Sequence, residues 1–179
     1  MTDNSKSPVL WSRAGVVNDA FVPVEAPEAI TDHKAVLLPL SVWLQLDESK
    51  RRFRNIRIGV RIEAADALDP LLNDLQHIAL VVLDFPAFND GRSFSKAAQL
   101  RAHYGFFGEL RASGMVRIDQ VGAMLRAGFD TLEISDALTL ARLQAGDLHD
   151  TGVYYQPVAG GIFGAEKKAE GFRWRRRIS

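Results

Sequence analysis

The stretch 78–135, IALVVLDFPAFNDGRSFSKAAQLRAHYGFFGELRASGMVRIDQVGAMLRAGFDTLEIS, constrains this chain more than any other. Three short apolar runs alternate with two helix-like segments, which reads as β-α-β-α-β. Parallel strands need a crossover of a dozen or more residues, usually a helix, and such crossovers are right-handed. The run from Ile78 to Leu83 shows no alternation, as expected of a strand covered on both faces, and is predicted as the central strand. A helix beginning at Ser93 or Ser95 carries Ala97, Leu100, Arg101 and Tyr104 and ends at Gly105. The strand Glu109 to Ala112 follows, then a helix with Asp119 near its start and Val121, Met124 and Leu125 as its apolar stripe, ended by Gly128. Asp130 to Ile134 is the third strand, and Asp136 caps a helix through Leu143.

The same rhythm extends upstream. Ala35 to Leu40 reads as a short buried strand, and Ser41 caps a helix from Val42 to about Arg52. Arg57, Gly59 and Arg61 alternate with Ile58, Val60 and Ile62, which predicts a strand with one wetter face near a sheet edge. Asp66 caps a helix whose Leu68, Leu71, Leu72 and Leu75 make one stripe. Two apolar stretches between Val9 and Val24 suggest a small N-terminal hairpin, and Glu25 to His33 a connector. The expected fold is α/β: a mainly parallel sheet of about five strands with alternating helices, either an open three-layer sheet or a partial TIM-like barrel. Residues 1–8 are expected to be a flexible N-terminus, 9–158 a single α/β domain and 159–179 a flexible basic tail. A short edge element is expected at Val153 to Pro157.

Composition narrows the function classes. Lys+Arg 22 against Asp+Glu 22 leaves no net field for nucleic acid or an anionic membrane. With no Cys, neither intrinsic Fe–S ligation nor thiol redox chemistry can run through this chain, so redox chemistry needs a bound or borrowed cofactor. The N-terminus lacks an apolar signal core, and no apolar run approaches the roughly 20 residues that span a bilayer, so a cytoplasmic protein is expected. The sequence contains no phosphate-binding loop, dinucleotide fingerprint, nucleophile elbow or zinc motif, and His33, His77, His103 and His149 are dispersed.

Polar residues gather at the predicted strand ends, where folds of this class bind ligands. Asp84 closes the central strand, and Asp90, Arg92 and Ser95 follow beside Gly91. Arg111 lies at the end of the next strand, ahead of Ser113-Gly114, Arg117, Asp119 and Gln120. Asp84, Asp90, Arg92, Ser95, Arg111, Asp119 and Gln120 are therefore the candidate anion- or ligand-binding set. A guanidinium and free helix N–H groups suit an oxyanion. The competing reading is that Asp90-Gly91 is a turn neutralised by Arg92, and that Arg111 pairs with Asp84 or Asp90. The phenyl rings of Phe85, Phe88, Phe94, Phe106 and Phe107 suit core packing, or stacking on a flavin or base.

The strings DFPAFNDGRSFSKAAQLR, GELRASGMVRIDQ and MLRAGFDTLEI resemble the bacterial family catalogued as domain of unknown function 934. The matching residues are Asp90, Gly91, Arg92, Phe94 and Ser95, then Leu100 with Arg101, Arg111 with Ala112, and Asp119 with Gln120. Ala127 stands where many members carry Cys. The resemblance implies an oxidoreductase or accessory protein of assimilatory sulfite reduction, with sulfite reductase or another sulfur-assimilation protein as partner. It supplies no catalytic residues and no cofactor. Two alternatives stay open: a non-catalytic module docking on sulfite reductase or its electron donor, and a small-molecule enzyme unrelated to redox.

Overall fold

The computed structural model describes residues 7–47, 51 and 55–147. The expected edge element at 153–157 and the basic tail lie outside them. Eight strands, β1 (Val9–Ser12), β2 (Gly15–Val16), β3 (Val22–Pro23), β4 (Ala35–Pro39), β5 (Arg57–Ile62), β6 (Ile78–Phe85), β7 (Glu109–Gly114) and β8 (Thr131–Ile134), form one sheet in the order β2-β1-β8-β7-β6-β5-β4-β3. From β3 to β8 every neighbouring pair is parallel and the strands follow chain order, whereas β1 runs antiparallel to β8 and β2 antiparallel to β1. The sheet is thus mixed and eight-stranded, not a mainly parallel sheet of about five. The N-terminal hairpin exists, but it extends the main sheet. Neither the hairpin's place at the edge of the main sheet nor the two-residue strand β3 has a local period to reveal it.

Among the described residues, the helices α1 (Leu40–Gln45), α2 (Arg92–Ala102), α3 (Ile118–Ala127) and α4 (Ala137–Gln144) bury their stripes on one side of the sheet. Val42 and Trp43, Ala97 and Leu100, Val121 and Met124, and Leu143 share a core with Val36, Leu38, Val60, Val81, Leu83, Leu110 and Leu132. Right-handed crossovers always advancing in the same direction leave every helix on the same face. The open three-layer alternative, which needs helices on both faces, is therefore not what forms.

The sheet also curls. Flat, its seven interstrand steps would hold β2 and β3 ~34 Å apart, yet residues 17–21 join these two edge strands and can reach only ~21 Å from Val16 to Val22. Both edges accordingly border one cavity of about 490 Å³, lined by Val16 and Pro23 as well as Leu10, Leu37, Arg61 and Glu133.

Several local expectations are met and others are replaced. Gly128 ends α3 in the left-handed region at φ 101, and Asp136 caps α4 by accepting from the Thr139 N–H at 2.8 Å. α1 stops early, with Leu46 extended. The stripe after Asp66 forms a 3₁₀ segment, Asp69–His77, with Pro at its start, while the Asp66 carboxylate accepts from the Glu63 N–H in a turn. α2 starts at Arg92, ahead of both serines. Ser93 is buried and its hydroxyl donates to the Asp84 carbonyl instead. β5 lies between β4 and β6 rather than at an edge, so its wetter face looks into the curled interior.

Candidate functional site

Strand alternation sorts side chains between the helix-covered face and the interior. Inward from β4 to β6 come Ala35, Leu37, Leu80 and Val82, sealed by Phe21 from the connection between the edge strands. A Cβ on Gly59 would approach Leu80 to 3.1 Å and Leu37 to 3.3 Å, so the bare glycine lets this apolar half close. Inward from β7 and β8 come Glu109, Arg111, Ser113, Thr131 and Glu133, and from β5 Arg61. The interior is apolar on one side and charged on the other.

Arg111 is at the centre of the charged half and 1% exposed. It donates to Asp19 from Nη1 at 2.6 Å and Nη2 at 3.0 Å, and to Glu109 Oε1 from Nε at 3.2 Å and Nη2 at 3.0 Å. Glu133 Oε1 lies 3.6 Å from Nη1. Thr131 donates to the same Glu109 Oε1 at 2.6 Å. Burial works against the charge on Arg111, but Asp19 and Glu109 outweigh it and raise its pKa further. Partial burial likewise opposes the charge on Asp19, yet the Arg111 fork and the Phe21 N–H hold its carboxyl below the ordinary value.

Towards the carboxyl ends of the strands the contacts loosen. The Ser113 hydroxyl donates to Asp84 Oδ1 at 3.0 Å, and Asp84 is half-buried. Arg61 reaches Ser113 Oγ and both Glu133 oxygens only at 3.4 Å, near the outer limit of a hydrogen bond. Its side chain is 38% exposed. It lines the 490 Å³ cavity and also a second cleft of about 280 Å³ with Pro39, Ser41, Glu63 and Asp66. Gly114, at φ 84, lets the chain turn beside this mouth: a Cβ there would sit 2.5 Å from the Phe85 carbonyl and 2.8 Å from Asp84 Oδ1.

The predicted set is dispersed. Asp84 and Arg111 belong to the interior network, but Arg111 lies mid-strand and pairs with Asp19, Glu109 and Glu133, not with Asp84 or Asp90. Asp90 and Arg92 pair with each other on the rim, Nη2 to Oδ2 at 2.6 Å, and Asp90 also accepts from the Arg92 N–H. Those bonds hold the Asp90 carboxyl down at about 2. Ser95 and Asp119 are exposed. Gln120 donates to the Phe88 carbonyl at 2.8 Å, and its Oε1 is buried without a partner among the described residues. Arg101 is structural: its guanidinium ties the Phe106, Gly108 and Gly128 carbonyls to Asp130. Phe85 packs edge-on to Phe94 at 5.1 Å, whereas Phe107 is 96% exposed.

Sequence reasoning missed Asp19, Arg61 and Glu133 as site residues. The signal for the last two was present, since Arg57 to Ile62 and Thr131 to Ile134 alternate polar with apolar. Their polar positions face an enclosed interior rather than bulk water.

Among the described residues, no group of three or more His, Cys, Asp or Glu could hold a metal ion, and no helix is long and apolar enough to cross a membrane. A family model described as "Bacterial protein of unknown function (DUF934)" matches residues 59–162, which covers β5 to α4 and with them Arg61, Asp84, Arg111, Ser113 and Glu133. No curated protein matches the chain.

Proposed function

The chain belongs to the DUF934 family, and on that premise we propose that it serves assimilatory sulfite reduction, as an oxidoreductase or accessory protein that holds a small oxyanion at Arg61. The observation that carries this reading is the contrast between the two interior arginines. Arg111 has four of its N–H donors engaged at 2.6–3.2 Å, whereas Arg61 makes only 3.4 Å contacts and opens onto two clefts. Exchanging such long contacts for a bidentate oxyanion costs little and gains charge-assisted bonds.

We read the curled sheet as a partial TIM-like barrel, a fold whose ligands sit at the carboxyl ends of the strands. Arg61, Asp84 and Ser113 lie at that end of β5, β6 and β7. In this role Arg61 anchors the anion, Asp84 accepts or returns a proton, and Ser113 fixes the Asp84 carboxylate by donating to it. A cytoplasmic location and a sulfur-assimilation partner follow from the same reading. Deletion of the gene should impair growth on sulfate or sulfite but not on cysteine. Arg61→Gln should fail to restore it, and normal growth of the deletion strain on sulfate would overturn the proposal.

A second reading, docking on sulfite reductase or its electron donor without catalysis, is favoured by one observation. Phe107 stands almost fully exposed beside a 340 Å³ cleft lined by Leu75, Ile78, Tyr104 and Phe106, at the opposite end of the strands from Arg61. If docking is the role, Phe107→Ser abolishes complementation and co-purification with the partner, while Arg61→Gln complements.

A further inference from the structure

We propose that Arg111 is a second, inner seat for a carboxylate-bearing ligand, and that Asp19 occupies this seat in cis when the ligand is absent. This goes beyond the anion site at Arg61 and does not depend on the sulfur assignment. The two oxygens of Asp19 meet Nη1 and Nη2 at 2.6 and 3.0 Å, the parallel two-bond geometry in which guanidinium recognises a free carboxylate. Asp19 is not part of the sheet that presents Arg111. It sits on the connection 17–21 between the two edge strands, 92 positions away in sequence. Asn18, Asp19 and Ala20 are exposed, and the connection is held at its ends: by the Val17 N–H to the Leu10 carbonyl at 2.9 Å, and by Phe21 buried against Leu37 and Leu80.

The contrast in burial gives Asp19 its role. Its side chain is 39% exposed and that of Arg111 1%, so the Asp19 carboxylate stands, together with Glu133, between the buried guanidinium and the 490 Å³ cavity that both carboxylates line. Charge requires exchange rather than addition. Arg111 alone already faces Asp19, Glu109 and Glu133, so a further anion at its guanidinium would add to an excess of carboxylates, whereas one replacing Asp19 leaves the balance there unchanged. A ligand carboxylate that enters the cavity and takes both Nη groups thus releases the 17–21 connection, coupling occupancy of the interior to the mobility of the segment closing it.

The test is chemical rescue in the full chain. Asp19→Ala is titrated with sodium acetate at ionic strength held constant with chloride, following thermal unfolding and the ¹⁵N-detected Nε–H resonance of Arg111. Acetate should raise the unfolding midpoint saturably, by about 3–6 °C at ten times the apparent Kd, and should shift the Arg111 resonance. Wild type should need at least tenfold more acetate. Asp19→Asn, which keeps an acceptor for the Phe21 N–H, is the second variant should Asp19→Ala fold poorly, and it should show the same selectivity for acetate over chloride. Sulfate run in parallel distinguishes a planar carboxylate seat, where acetate wins, from a general anion site, where sulfate wins and the ligand class is wrong. Persistence of the effect in Asp19→Ala/Arg61→Gln assigns the seat to Arg111, while its loss there moves the anion to Arg61 and overturns the inner seat without touching the outer one. No response to acetate beyond chloride in either Asp19 variant overturns it outright.

Discussion

Arg111→Met removes the guanidinium and keeps most of the stem, so its effect isolates the charged half of the interior. Four N–H bonds to Asp19 and Glu109 vanish, and three carboxylates lose their shared cation. Stripping one partner from a buried ion pair typically costs about 3–5 kcal/mol. The carboxylates here are 39%, 23% and 13% exposed, so water recovers part of that loss, and the discounted expectation is ~2–4 kcal/mol. Urea unfolding followed by tryptophan fluorescence reads it directly, because Trp11 and Trp43 are both buried. With a slope near 2 kcal/mol per molar, the midpoint should fall by about 1–2 M. Asp19→Asn, which neutralises only the most exposed partner, should cost no more than ~1 kcal/mol. Arg111→Met within ~0.5 kcal/mol of wild type would refute the reasoning, since the interior carboxylates would then not depend on Arg111.

Other consequences are local. Gly114→Ala forces a side chain into the left-handed region and against the Phe85 carbonyl and Asp84, so a loss of ~2–4 kcal/mol is expected in the same assay, with weakened anion binding because Asp84 must move. Asp136→Ala removes the α4 cap and should cost ~1 kcal/mol by thermal unfolding at neutral pH. Bonds from Thr139 hold the folded Asp136 carboxyl below its unfolded value. Its stabilisation is therefore complete above the ordinary carboxylate range and fades as pH falls through the folded value, so the deficit of Asp136→Ala should shrink in acid. A deficit that grows in acid would contradict the cap.

The core β-α-β-α-β unit was legible because each element there carries its own local pattern, the unbroken apolar run from Ile78 to Leu83 and the helical stripe of Val121, Met124 and Leu125. β3 was not, since a pair of residues carries no period and pairs only along the free edge of β4, and the hairpin of β1 and β2 was legible as a hairpin but not as part of the main sheet. The curl was hidden for a related reason: it follows from the short 17–21 connection, whose meaning appears only once strand order is known. Within the site, Asp84 and Arg111 were recognisable as polar residues in apolar strands. Asp90 and Arg92 drew attention by the same token but satisfy each other, because residues two apart at the entry to α2 meet without help from the rest of the fold. Asp19 was invisible, as nothing local marks an aspartate in a polar connection as the partner of a buried arginine far along the chain.

Anchoring of an oxyanion by Arg61 at the carboxyl ends of the strands can be measured by calorimetric titration of sulfite into wild type and Arg61→Gln. Wild type should bind saturably and Arg61→Gln at least tenfold more weakly, with the variant's thermal unfolding little changed. Equal binding by the two proteins, or none by wild type, would contradict it.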